Sequence, residues 1–161
     1  MKNLAIFTFL LTFLTSCSQS VKETFLIPNG FEGRITVVFN QPNATQIPIE
    51  NDRRIYKIPE DGILITSSKI ETGILHQKYY YIDKSGNRTK INILDLDKGA
   101  TEIPMVVRYG TVGVYGNSDD VNPIEFLEST IASKKNIDSI SDYKYISSFE
   151  QRIMEKLGRK F

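Results

Sequence analysis

Residues Gly33 to Asn40 read GRITVVFN, and their alternation decides the fold class. Ile35, Val37 and Phe39 fall on one side of an extended chain and Arg34, Thr36 and Asn40 on the other, with Val38 out of pattern. Successive side chains leave a strand on opposite faces, so a period of two marks one face in a core and one in water. On this reading Val37→Asp or Phe39→Asp puts an unpaired charge in the core and unfolds the domain. Thr36→Asp, facing solvent, is expected to cost roughly 1 kcal/mol or less.

Similar runs lie on either side. Thr24 to Ile27 precedes this strand; Arg54 to Ile58 and Ile63 to Thr66 follow it, separated by Pro59-Glu60-Asp61-Gly62, whose Pro and Gly suit a tight turn. Lys78 to Asp83 and Arg88 to Leu94 flank Lys84-Ser85-Gly86-Asn87, a hairpin signal because Gly accepts positive φ. Met105 to Tyr109 and Thr111 to Tyr115 are divided by Gly110, a turn or a bulge. About eight short strands at this spacing predict an all-β sandwich or barrel.

The last third changes character. Ile131 to Asp142 is a polar connector, and Ser147-Ser148-Phe149-Glu150 has the spacing of a capping box. Phe149, Ile153 and Leu157 then recur on one helical face beside Met154, with Gly158 as a stop. A helix of about ten residues, docked on the domain, is expected, being marginal in water alone. Asn122-Pro123-Ile124-Glu125 also has the cap, proline and glutamate of a helix start.

At the other end, Lys2 and the apolar run Leu4 to Leu14 have the form of a secretory leader. That run is too short to span a bilayer, which takes ~20 apolar residues. Leu14-Thr15-Ser16-Cys17 resembles the lipobox of bacterial lipoproteins: an aliphatic residue, two small ones, and the cysteine that is diacylated and becomes the mature N-terminus. The resemblance implies a signal peptide over 1–16 and an acylated Cys17 with a short tether over 17–23; the strand and helix patterns then place a sandwich over 24–130 and the connector and helix over 131–161. Cys17 is the chain's one cysteine, so it has no intrachain disulfide partner. Two acyl chains hold a protein to a membrane where one binds only marginally. Ser18 is not the Asp that retains enteric lipoproteins in the inner membrane, so the analogy points to the periplasmic face of the outer membrane in an organism that has one.

Composition narrows the function. The chain has 20 basic and 19 acidic residues; without Lys2 the balance is 19 to 19, a formal charge of zero. That is no electrostatic footprint for nucleic acid. His76, the single histidine, sits before a strand and reads as a solvated loop imidazole. Asp95-Leu96-Asp97-Lys98-Gly99 reads as a polar turn, because the ligand spacing of a calcium loop is missing, and Asp119-Asp120, adjacent carboxylates that could bind a hard cation, reads as a solvated turn before Val-Asn-Pro. No catalytic residue, metal site or cofactor is expected. A hydrolase would need two carboxylates with raised pKa values in one cleft.

Tyr79 and Tyr81 share one strand face, and Tyr80 and Ile82 share the other. If the first pair points outward it forms an aromatic binding face for a sugar ring or a protein. Otherwise it packs across the hairpin against residues such as Lys90 and Asn92.

Phe25 to Pro42 (FLIPNGFEGRITVVFNQP) and Tyr56 to Thr66 (YKIPEDGILIT) are similar to an uncharacterised domain family of bacterial lipoproteins, with an LIP-x-G-φ-x-G opening and an IP-x-x-G turn. The resemblance covers Phe25 to Thr130. It implies a secreted, immunoglobulin-like or transthyretin-like sandwich, makes Ile124 to Thr130 a last strand, and supplies no site residue. The expectation is therefore a mainly β envelope lipoprotein: a single β-sandwich with a short C-terminal helix, bound to the membrane through lipid on Cys17. Its role would be a non-catalytic binding or assembly module for an envelope protein or glycan.

Overall fold

A computed structural model of the chain describes residues 20–116 and 123–159. Cys17, Asp119-Asp120 and Asn122 lie outside the described residues. The fold is mainly β: two mixed sheets face each other and a C-terminal helix covers the outside of the second. The strands are β1 (Ser20–Pro28), β2 (Gly33–Val38), β3 (Ile49–Glu50), β4 (Arg53–Lys57), β5 (Ile63–Ile65), β6 (Ile74–Ile82), β7 (Arg88–Ile91), β8 (Met105–Tyr115) and β9 (Ile124–Ala132). The first sheet has the order β3-β4-β1-β6-β7 and the second β5-β2-β9-β8.

Strand β1 organises the first sheet. It runs parallel to both neighbours and pairs with β6 along its whole length, from Ser20 with Ile74 to Pro28 with Ile82. It begins four residues before the expected Thr24, because Val21 is buried beside Leu75 and Glu23 beside Gln77. The same register sets Phe25 between Tyr56 and Tyr79. The three rings stack in a row, with centroids 4.8 Å and 4.7 Å apart. Such pairs add about 0.5–1.5 kcal/mol each beyond burial. Phe25, Tyr56 and Tyr79 meet Ile35, Val37, Phe39 and Leu127 of the second sheet in the main core.

The Pro59–Gly62 turn carries the chain between sheets. β4 stays in the first, whereas β5 runs parallel to β2 in the second. Gly62 has φ +78°, and a Cβ built there would lie 2.5 Å from the Arg34 carbonyl oxygen. Its own carbonyl accepts the Thr36 N–H at 2.8 Å, which starts the β5–β2 pairing. The expected hairpin is present as β6–β7, and Gly110 is a bulge inside the continuous β8, at an interruption in its register with β9. Strand β7 stops at Ile91 because Asn92 to Leu94 leaves the first sheet and bonds to Val106 of β8. Residues 124–132 are strand, as the family resemblance implied and against the helix-start reading. Pairing with β2 on one side and β8 on the other outweighs the local Asn-Pro-x-Glu signal.

Two helices follow, α1 (Ile137–Ser141) and α2 (Tyr143–Leu157). The expected capping box at Ser147 is not used. Asp142 caps α2 instead, accepting the Lys144 N–H at 2.8 Å, so the helix has 15 residues rather than about ten. Gly158 ends it with φ 66°, as expected. Phe149, Ile153 and Met154 pack on Val38, Ile63 and Ile124, making a second core outside the sandwich. Val38 thus belongs to a different core from Val37. Every residue of β2 is buried, which corrects the reading of Arg34 and Thr36 as a solvent face.

Candidate functional site

The hairpin β6–β7 borders a concavity on the first sheet. Its turn is tied by Asp83, whose carboxylate accepts the N–H groups of Ser85 and Asn87 and the Asn87 side-chain amide, each at 2.9 Å. These bonds, the side-chain bond from Asn87 foremost, hold the Asp83 pKa below the ordinary aspartate value. The turn sets the register: Tyr79 opposite Ile91, Tyr80 opposite Lys90, Tyr81 opposite Thr89.

That register decides which tyrosines face out. Tyr79 is 1% exposed. Its hydroxyl meets the Gln77 side-chain oxygen at 2.8 Å and the Ser129 hydroxyl at 2.9 Å, which ties the two sheets together. Tyr81 is half-buried and donates to the Phe31 carbonyl at 2.8 Å, and burial with nearby Glu32 pushes its hydroxyl pKa up to about 12. The proposed outward face of Tyr79 and Tyr81 is therefore an inward one, because Phe25 and Ile91 draw it into the core. Lys90 lies opposite Tyr80, not Tyr79. His76 is exposed within β6 rather than on a loop.

On the outer side, Lys78, Tyr80, Lys90 and Asn92 share one face of the hairpin. Beyond them, Asp95 closes a polar turn by accepting the Lys98 and Gly99 N–H groups at 3.1 Å and 3.0 Å, and its carboxylate pairs with the Lys98 ammonium at 2.8 Å. Hairpin and turn enclose an open groove of about 650 Å3 lined by Lys78, Tyr80, Lys90, Asn92, Ile93 and Lys98. This is within the range of ~300–1,000 Å3 usual for ligand sites. The alternation at Lys78 to Ile82 marks the outer residues, but only the inward pull on Tyr79 tells which set is outer.

Two buried carboxylates lie elsewhere, and sheet two separates them. Glu23, 2% exposed, faces the main core and accepts from the Tyr56 hydroxyl and the Gln77 amide, both at 2.7 Å. Desolvation first, then the Glu23 charge, drives the Tyr56 pKa far above the ordinary phenol value. Glu128, also 2% exposed, lies beneath the helices in an ion pair with Arg34. The Arg34 Nε, Glu128 Oε2 and Thr36 hydroxyl there lack partners. These carboxylates share no cleft, so the two-carboxylate geometry of a glycoside hydrolase is not assembled by them. Among the described residues no cluster of His, Cys, Asp or Glu has the makings of a metal site, and no helix is long and apolar enough to cross a membrane.

The chain is similar in fold to a solved structure described as a "Putative Lipoprotein from Bacillus anthracis", with a TM-score of 0.61 and 22% identity over 88% of this chain and 100% of that one. No curated protein matches it. Residues 19–140 match a family described as "Family of unknown function (DUF6843)", which takes in the nine described strands and α1 up to its last residue but one. The chain belongs to this family.

Proposed function

We propose that this protein is an envelope lipoprotein, held to the membrane by a diacylated Cys17, whose sandwich serves as a non-catalytic binding or assembly module with the β6–β7 groove as its contact surface. The observation that carries the reading is the start of β1. Its described part already lies in the centre of the first sheet at Ser20, three positions after Cys17 in the sequence. At ~3.5 Å per extended residue, three positions span at most about 10 Å. A lipid at Cys17 would press the Ser20–Ile74 end of the first sheet against the headgroups. Lys78 and Tyr80 stand four and six residues along β6 from Ile74, about 13–20 Å from that end. The groove would then be within reach of a partner lying along the membrane. Fold likeness to a protein described as a lipoprotein agrees with this placement. By the identity of Ser18, the periplasmic face of the outer membrane is the site where two membranes exist.

The test is metabolic labelling with an alkyne-bearing fatty acid in a bacterial host that processes lipoproteins. Wild-type protein takes the label and sediments with membranes, whereas Cys17→Ala takes none and keeps its leader. Label of equal strength in the variant would overturn the anchor.

A further inference from the structure

We propose that the β6–β7 groove binds an anionic glycan chain, with Tyr80 as the stacking surface and Lys78 and Lys90 as the ligands of its acidic groups. The proposal rests on the groove's assignment as the contact surface and names what fills it.

Charge comes first. Three lysines and one aspartate line the groove, a formal balance of +2 in a chain whose overall charge is +1. Asp95 is taken by Lys98. Lys78 and Lys90, both exposed, make no ion pair or side-chain hydrogen bond among the described residues. Other basic side chains nearby are engaged: Arg88 with Glu50, Arg53 with the carbonyl oxygens of Glu23 and His76. Within the strands of this sheet the cationic charge is thus left open at the groove and, among the described residues, at Lys57 of β4 alone besides.

The chemistry between the lysines selects among anions. Tyr80 stands opposite Lys90 and is half-buried, so its ring is fixed by the strand yet reachable. A flat ring with a polar tip suits the apolar face of a sugar. The Asn92 amide, also exposed, offers both a donor and an acceptor to neighbouring hydroxyls. The concavity is partly open to solvent, so a unit within a chain can enter it where an enclosed pocket would take only a terminus. An acidic peptide would use the lysines alone, and nucleic acid would need a basic face far larger than two free ammonium groups.

Binding of polygalacturonate, neutral dextran and poly-glutamate to the purified full-length protein in detergent tests this. Polygalacturonate binds, dextran does not, and poly-glutamate binds at least tenfold more weakly. The double variant Lys78→Gln/Lys90→Gln loses tenfold or more in affinity for polygalacturonate, and Tyr80→Ala loses about fivefold, with the melting temperature of each checked against wild type. If Tyr80→Ala fails to fold, Tyr80→Gln takes its place. Undiminished binding by the lysine variant overturns the site. Equal binding of poly-glutamate overturns the glycan in favour of an acidic peptide. None of these outcomes involves Cys17, so failure of the anchor and failure of the groove are read separately.

Discussion

Replacing Glu128 by alanine lowers stability by about 3–5 kcal/mol, because it strands the Arg34 guanidinium beneath the helices. At roughly 2–4 °C per kcal/mol for a domain of this size, the melting temperature falls by about 10 °C. The pair is not itself a large source of stability. Desolvating two charges costs nearly what their attraction returns, and here Arg34 Nε and Glu128 Oε2 lack partners besides. The double variant Arg34→Met/Glu128→Leu should therefore recover most of the loss. Thermal unfolding of the single and double variants measures both effects. A single variant as stable as wild type would mean that water reaches the pair.

Thr36→Asp unfolds the domain or costs at least about 4 kcal/mol, as much as Val37→Asp. Thr36 is fully buried, between Ile63 on β5 and Glu128 on β9, with no partner for its hydroxyl. A carboxylate there would be desolvated and would face Glu128, with one guanidinium between two negative charges. Equilibrium denaturation decides it. A loss of 1 kcal/mol or less would restore the solvent-facing strand and would mean that α2 does not cover it.

The contrast shows where the sequence is legible. The period of two in GRITVVFN identifies β2 and its inward residues correctly, since Ile35, Val37 and Phe39 all enter the main core. It cannot show that Arg34, Thr36 and Val38 are covered too, because the cover is a helix more than 100 residues later in the chain. Val38, the exception to the alternation, was the local sign of that second core. Turn chemistry was legible where it is self-contained: the Asp83–Asn87 turn and Gly158 form from their own neighbours. Strand pairing was not. Nothing within β1 announces two parallel partners, and Ser20 to Lys22 is strand only because residues 74–76 lie beside it. The site followed the same logic. The alternation puts Tyr79 and Tyr81 on one face, but which face is outer depends on Phe25, which is 54 positions from Tyr79 in sequence and stacked on it in space.

The central claim is that the mature chain begins at a lipid-bearing Cys17. Mass spectrometry of the N-terminal peptide from membrane-extracted protein tests it most directly. The account predicts a peptide starting at Cys17 that carries a diacylglyceryl group, and none that spans Ser16 to Ser18. A mature chain containing the unbroken Leu14-Thr15-Ser16-Cys17-Ser18 stretch with an unmodified thiol would contradict it.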